Sequence, residues 1–153
     1  MPERFKLVCI NEKGEKESIV MIHAAITGSL ERLTAILLEH LAGHFPLWLS
    51  PVQIKILTVS EKHIKFSKQL KKELKEYDLR VELDDSPETL GQKIRKNIIN
   101  KIPYTLVIGD QEMKKKELVI RVRGKKELLK IKKEKFIKTI VEDIKERKLK
   151  LIK

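Results

Sequence analysis

The feature that most constrains the fold is an alternation of short apolar runs with segments of helical periodicity across residues 51–148. The run VQIKILTV (52–59) is followed by a helical segment, then by LRVEL (79–83), a second helical segment and YTLVI (104–108). Strands that alternate with helices in this way are joined by right-handed crossovers and form a sheet that is at least partly parallel. The pattern therefore predicts an α/β domain.

Two further strands and a last helix follow. The runs ELVIRVR (117–123) and LLKI (128–131) are separated by Gly-Lys-Lys, which is typical of a hairpin. Apolar residues at helical spacing then predict a final helix that buries Phe136, Ile137, Ile140, Val141 and Ile144. The predicted order, β-α-β-α-β-β-β-α, gives a mixed five-stranded sheet with flanking helices.

The two crossover helices carry separate apolar stripes. The stripe of the first is Ile64, Ser67, Leu70, Leu74 and Tyr77, and that of the second is Leu90, Ile94 and Ile98. Ser86 is predicted to cap the second helix and Pro87 to lie in its first turn. Gly109 and Asp110 are predicted to open a loop after the third strand.

In ELVIRVR, strand alternation places Leu118, Ile120 and Val122 on one face, and Arg121 and Arg123 together on the other as an exposed basic ridge.

The first part of the chain follows a different pattern. FKLVCI and SIVMI flank a polar turn at Gly14, which predicts a β-hairpin with a buried Cys9 thiol. Leucines at helical spacing then follow Ser29, which can cap a helix. The segment HFPLWLSP (44–51) interrupts all periodicity. We therefore predict one domain over residues 1–46 and a second over residues 47–153.

Charge favours a polyanionic partner. The chain has 34 Lys and Arg against 22 Asp and Glu, a formal charge of +12. Basic residues release counterions when they neutralise phosphates, so nucleic acid is favoured over the alternative that the charge serves solubility or reflects a Lys-rich genome. The sequence has one cysteine, no leader pattern and no run of about eighteen apolar residues, so we expect a cytoplasmic protein with no membrane partner.

Several phrases carry a resemblance that covers the full length of the chain. They are GSLER (28–32), EHLAGHFPLWLSPVQ (39–53), LGQKIRKNIINKIPYTLVIGDQEM (90–113) and VIRVRGKKEL (119–128). Together they resemble the C-terminal part of bacterial threonyl-tRNA synthetases, where a class II catalytic domain meets an anticodon-binding domain. The resemblance implies that the hairpin and helix of residues 1–46 are the end of the catalytic domain.

The resemblance also implies roles for residues of that first part. GSLER matches motif 3 of class II synthetases, so Arg32 would contact ATP and Ser29 the substrate side. His23 matches one of three protein ligands of a zinc ion, and the other two would lie upstream of Met1. Ala24 stands where the family usually has arginine. The isolated chain is thus expected to hold no cofactor and to be inactive, with zinc and ATP-magnesium implied for a full-length enzyme.

In the second part the resemblance implies an anticodon-reading site. Its residues would be Arg95, Lys101, Glu112 and Arg121, with Arg123 beside them as a further tRNA contact. Lys101 replaces an arginine common in the family, and Pro87 lies where asparagine is frequent. Threonine anticodons share a middle guanine, whose N1-H and N2-H groups suit a carboxylate, whereas its O6 suits arginine. The segment from Lys125 to Lys153 has twelve basic and five acidic residues. Their net positive charge would attract RNA irrespective of its base sequence.

Three functions follow as alternatives. The first is a module that binds tRNA(Thr) through its anticodon and is a monomer when isolated. The second is a part of threonine-tRNA ligase that becomes active only with an upstream catalytic domain or subunit. The third is an accessory nucleic-acid-binding protein that reuses the same fold. We favour the first as the function of the chain by itself.

Overall fold

The computed structural model describes residues 2–114 and 117–152. The chain divides into two compact units, and the division falls between His40 and Leu41. The elements of the first unit are a short helix α1 (Pro2–Phe5), the antiparallel strands β1 (Val8–Ile10) and β2 (Lys16–Ser18), and helix α2 (Leu30–His40).

No residue of β1, β2 or α2 is buried. The prediction of a buried Cys9 is therefore wrong, because this side chain is exposed. Its strand pairs with a single partner, and a two-stranded hairpin has no second layer of its own behind it. Apolar strand residues alone do not produce burial in such a hairpin.

The second unit contains the predicted α/β domain. Its main elements are β3 (Ile54–Thr58), α3 (Ile64–Glu76), β4 (Val81–Asp84), α4 (Leu90–Ile99), β5 (Tyr104–Ile108), α5 (Asp110–Lys114), β6 (Glu117–Val122), β7 (Leu128–Lys132) and α6 (Lys133–Lys145). Single 3-10 turns lie at Leu47–Leu49 and Glu61–His63. The short helix α5 occupies the place of the predicted loop.

The five strands form one mixed sheet in the order β4-β3-β5-β6-β7. Strand β3 pairs in parallel with β4 and β5, whereas β5, β6 and β7 are antiparallel neighbours. Both crossovers connect parallel strands and step in opposite directions from β3 and β4, so right-handedness places α3 and α4 on opposite faces of the sheet. The predicted fold class is confirmed.

The main core lies on the α3 and α6 side of the sheet. Its central aromatic pair is Tyr104 and Phe136, whose rings meet edge to face with centroids 5.4 Å apart. The Tyr104 hydroxyl accepts a hydrogen bond of 2.9 Å from the backbone N-H of Ile152, and burial raises the pKa of this tyrosine to about 12. The predicted placement of Leu118, Ile120 and Val122 on one face of β6 is confirmed, and all three are buried.

Helix α4 differs from the sequence prediction at two points. It begins at Leu90 and is capped by Thr89, whose Oγ1 accepts from the backbone N-H of Gln92, so Ser86 is not the cap and Pro87 precedes the helix. Its buried residues are Lys93 and Asn97. Ile98, expected in the buried stripe, is 63% exposed, because the helix turns a polar stripe toward the sheet.

The segment 41–46 belongs to the second compact unit. Lys101 Nζ donates to the carbonyl of Ala42, and Arg123 Nη2 donates to the carbonyl of Phe45 at 2.7 Å. These bonds place the structural division earlier than the predicted domain boundary between residues 46 and 47. The predicted boundary separates the two domains that the resemblance implies, and it stays a prediction.

Across residues 2–114 and 117–152, we find no helix with the length and apolar character needed to cross a bilayer.

Candidate nucleic-acid interface

One face of the sheet carries helix α4, which packs against β3. On the α4 side, Leu57 of β3 is buried but lies outside the main core. Strand alternation and register put further side chains on this same side of β5, β6 and β7. We call the following group, in which Thr105 is buried and the others are half-buried or exposed, the open face: Thr105, Val107, Val119, Arg121 and Lys130.

A buried lysine fixes α4 at the edge of this face. Lys93 is 2% exposed, and its Nζ donates to three oxygens at 3.2 to 3.4 Å. Two belong to Thr58 at the end of β3, and the third is the backbone carbonyl of Asp84 at the end of β4. A buried ammonium is tolerated only when such partners satisfy it. The lysine therefore joins α4 to the carboxyl ends of two parallel strands.

Arg121 occupies the middle of the open face. It lies opposite Thr105 of β5 and Leu128 of β7 and is half-buried. Its Nε is enclosed without a hydrogen-bond partner, and its guanidinium makes no hydrogen bond or ion pair to any residue in the described ranges. A guanidinium carries five donors in a fixed fork. Arg121 can therefore offer its donors to an acceptor brought by a ligand.

Glu112 lies at one end of the same face. Its Oε2 accepts a hydrogen bond of 3.0 Å from the backbone N-H of Gly109, which leaves Oε1 available. Glu112 lines a small surface pocket together with Gln111, Glu117, Val119 and Lys130. Because Val119 and Arg121 project to the same side of β6, the structure brings a carboxylate and a guanidinium to one face. A carboxylate accepts hydrogen bonds and a guanidinium donates them, so the two side chains offer complementary groups to a ligand.

The helix that carries Glu112 is tied to the rest of the domain through its first residue. Asp110 Oδ1 lies 3.1 Å from His63 Nε2 and 2.9 Å from Lys62 Nζ. Two hydrogen bonds lower the pKa of Asp110 below its ordinary value, and the bond from Lys62 has a larger effect than the bond from His63. His63 itself is 1% exposed. The carboxylate of Asp110 is thus anionic at neutral pH and bonded to a buried ring.

Arg123 does not form the expected exposed ridge with Arg121, and Lys101 lies beside it. The Arg123 guanidinium donates to the carbonyls of Lys101 at 2.8 Å and Phe45 at 2.7 Å. Burial lowers the pKa of Arg123. Lys101 follows α4 with a φ of 54° and donates to Ala42. Both cations are already bonded to backbone carbonyls, so the prediction of a free ridge is wrong for Arg123.

Arg95 lies on the solvent side of α4. It is exposed and has no hydrogen bond or ion pair within the part of the chain that the structure describes. The buried stripe of α4 contains Lys93 and Asn97, so Arg95 points away from the strand beneath the helix. Its role as a tRNA contact stays a prediction.

The first unit contains the residues assigned by resemblance to a catalytic domain. Ser29 Oγ accepts from the backbone N-H of Arg32 at 3.2 Å, so this serine caps α2 as expected. Arg32 and His23 are both exposed. Among residues 2–114 and 117–152, no group of three or more His, Cys, Asp or Glu side chains could hold a metal ion. His23 therefore has no co-ligands there, and the described residues do not fit a zinc site.

Sequence reasoning missed Lys93, His63 and Asp110. In the sequence, Lys93 is one of many lysines, and His63 does not lie at a spacing typical of metal ligands. Both gain their partners from elements that are distant in sequence, since 35 residues separate Lys93 from Thr58 and 47 separate His63 from Asp110. The one usable signal was local: Ser60 and His63 have the i, i+3 spacing of a capping box, which the structure forms.

Comparison with known proteins identifies similar sequences and a similar fold. Residues 53–143 match the family described as anticodon binding domain. The chain is 49% identical over 145 residues to the threonine-tRNA ligase of Acetivibrio thermocellus, covering 95% of this chain and 23% of the ligase. It is 45% identical over 144 residues to the threonine-tRNA ligase of Caldanaerobacter subterraneus subsp. tengcongensis, covering 94% of this chain and 22% of the ligase. The chain therefore spans less than a quarter of the length of these relatives.

A solved structure is also similar. The RNA binding domain of threonyl-tRNA synthetase from Cryptosporidium parvum superposes with a TM-score of 0.71 at 34% identity. The similarity covers 92% of this chain and 36% of that one. These likenesses include the first unit as well as the α/β domain, since more than nine-tenths of this chain is matched.

Proposed function

We propose, on the premise that this chain belongs to the family of anticodon binding domains, that it recognises the anticodon of tRNA(Thr) on the open face. The observation that carries the proposal is the placement of Glu112 on one side of the sheet together with Arg121, whose guanidinium bonds to no residue among 2–114 and 117–152. The names of the relatives support threonine as the amino acid of that tRNA. They also favour this function over an accessory nucleic-acid-binding protein.

The chemistry of an anticodon loop suits these two side chains. Bases in a single-stranded loop can be splayed out and read along their Watson-Crick edges. The middle guanine offers two N-H donors to the Glu112 carboxylate and an O6 acceptor to a guanidinium such as Arg121. Each such pair contributes about 1–3 kcal/mol of discrimination between bases. We propose that Arg95 of helix α4 contacts the same anticodon loop of the RNA.

The basic surplus supplies affinity without sequence choice. Phosphate contacts position a nucleic acid and make binding fall with salt, but they do not distinguish bases. The C-terminal lysines and the net charge of +12 fit this role. Lys101 and Arg123 are less suited to it, because both already bind carbonyls of the chain. We assign them to shaping the domain, with tRNA contact as a secondary role.

The activity of a complete ligase is a wider proposal. We propose that the chain acts with an upstream catalytic domain or subunit in a cytoplasmic threonine-tRNA ligase that uses ATP-magnesium and zinc. Ser29, Arg32 and His23 would then join residues beyond this chain at the active site. The isolated chain is proposed to bind tRNA as a monomer without catalysis, since no group of three or more His, Cys, Asp or Glu side chains among residues 2–114 and 117–152 could hold a metal ion with His23.

The test is a titration of the full chain with two anticodon stem-loop RNAs at one salt concentration. One carries a threonine anticodon, and the other differs only in having adenine as the middle base. We expect the second to bind at least about tenfold more weakly, and either Glu112→Ala or Arg121→Ala to remove most of that difference. Lys138→Ala, on the exposed side of α6, is the matched control and should weaken both RNAs equally. Equal binding of both RNAs by the wild type would contradict anticodon reading.

A further inference from the structure

We infer that His63 and Asp110 are positioning residues, which hold the short helix α5 so that Glu112 meets its base. The inference rests on the proposed function. It concerns a contact between two segments that are 47 residues apart in sequence, the turn after β3 and the turn after β5. We call the pair His63 and Asp110 the latch.

Helix α5 needs such a contact because packing does not fix it. None of its five residues is buried, and its largest apolar side chain, Met113, is 43% exposed. A single short helix has little stability by itself, since nucleation costs more than a few hydrogen bonds return. The position of Glu112 must therefore be set by polar contacts near the start of α5.

His63 provides a rigid anchor for that contact. Its Nδ1 accepts from the backbone N-H of Ser60 at 3.2 Å and lies 3.0 Å from the Ser60 hydroxyl. With Nδ1 as acceptor, the ring proton of the neutral form lies on Nε2, which donates to Asp110 Oδ1 at 3.1 Å. The ring is 1% exposed, so burial and both nitrogen contacts fix its orientation.

Asp110 links the fixed position of the His63 ring to the position of Glu112. It is the first residue of α5, only two positions before Glu112. The Glu112 carboxylate then folds back to accept from the N-H of Gly109, the residue before Asp110. One end of α5 is therefore held by the buried ring and by its own carboxylate. The second partner of Asp110, Lys62, is 63% exposed, and exposed ion pairs contribute little.

Ser60, His63 and Asp110 have the side-chain types of a hydrolytic triad and lie at hydrogen-bond distances, but the His63 ring is not available as a general base. The acceptor nitrogen of His63 is occupied by a backbone N-H, and the ring has almost no access to solvent. A general base needs a free nitrogen within reach of a substrate. The cluster is suited to holding two turns together and not to catalysis.

The inference is tested by a double-mutant cycle in the full chain, with the two stem-loop RNAs as ligands. The measured quantity is the ratio of Kd values for the adenine and guanine forms. We expect Asp110→Ala to reduce this ratio from at least about tenfold to about twofold or less, and Asp110→Ala/Glu112→Ala to match Glu112→Ala alone. Asp110→Asn retains an acceptor for His63 and should keep most of the ratio. Asp110 is 64% exposed, so these variants test the latch without opening the core.

Two further measurements separate positioning from general damage. Binding of the adenine RNA should be nearly the same in Asp110→Ala and wild type, whereas the unfolding midpoint should fall modestly, because the buried His63 ring loses its acceptor. Lys68→Ala removes an exposed lysine and its ion pair with Asp85 and should leave the ratio unchanged. If the wild type discriminates but Asp110→Ala keeps the full ratio, or the two mutations act additively, the latch is wrong and anticodon reading stands. If the wild type does not discriminate, the proposed function fails and the latch fails with it.

Discussion

Arg121 and Arg123 are two residues apart, yet their guanidinium groups have opposite surroundings. Arg123 donates to the carbonyls of Lys101 and Phe45, 2.8 and 2.7 Å away. Arg121 bonds to no residue within the described ranges, and its enclosed Nε has no acceptor. One cation is satisfied by the fold, whereas the other is available to a ligand. Stability and RNA recognition should therefore be separable at these two positions.

The first prediction compares these arginines. Arg123→Ala should lower the free energy of unfolding by about 1–2 kcal/mol, because two carbonyls lose a charged donor at a half-buried site. Arg121→Ala should change stability by less than about 0.5 kcal/mol while reducing discrimination at the middle base. Urea unfolding followed by the fluorescence of Trp48, the one tryptophan of the chain, gives the first quantity. Equal destabilisation by both variants would contradict the division of roles.

The second prediction concerns the buried lysine under α4. Lys93→Ala should lower the unfolding free energy by about 1–3 kcal/mol, since the carbonyls of Thr58 and Asp84 lose a charged donor. Lys93→Met keeps the length of the side chain without its ammonium and should fall between wild type and Lys93→Ala. Lys96→Ala, an exposed lysine on the same helix, is the control. A Lys93→Met variant as stable as wild type would show that the ammonium is not required.

The sheet could be predicted because each strand is encoded locally. A run such as YTLVI consists mostly of β-branched and aromatic residues, which is typical of a strand. Strand alternation likewise placed Arg121 opposite Ile120 and Val122. That same alternation misled at Arg123, because β6 ends at Val122 and the side chain beyond it reaches two carbonyls of other segments.

The inward side of α4 could not be predicted from periodicity. Ile94 and Ile98 form one stripe and Lys93 and Asn97 another, both at helical spacing. The lysine stripe faces the sheet because strand ends supply three oxygens to Nζ. Those oxygens belong to residues far from α4 in sequence. The latch of His63 and Asp110 was missed for the same reason, because only the paired strands bring its two turns together.

The third prediction is a loss of stability at alkaline pH. The pKa of Tyr104 is raised by burial from 10.0 to about 12, so its phenol stays neutral in the fold after the unfolded chain has begun to ionise. The contribution of Tyr104 is complete below pH 10 and falls as pH rises toward 12, by roughly 2–3 kcal/mol in total. Tyr104→Phe removes this term, whereas lysine titration is common to both proteins. The difference between their stabilities should shrink with pH; a constant difference would contradict the assignment.

The fourth prediction tests the hydrogen bond that holds the Glu112 carboxylate against the backbone N-H of Gly109. A Cβ added at Gly109 would lie 3.3 Å from Glu112 Oε2 and 3.7 Å from Val59 Cγ2. Because Glu112 is the neighbour that can move, Gly109→Ala should displace its carboxylate and lower the discrimination between guanine and adenine RNAs to within about threefold, a loss of the order expected for one base contact. Gly91→Ala is the matched control, since a Cβ there has no heavy atom within 4 Å. Discrimination that survives Gly109→Ala would mean that the folded-back position of Glu112 is not the one that reads the base.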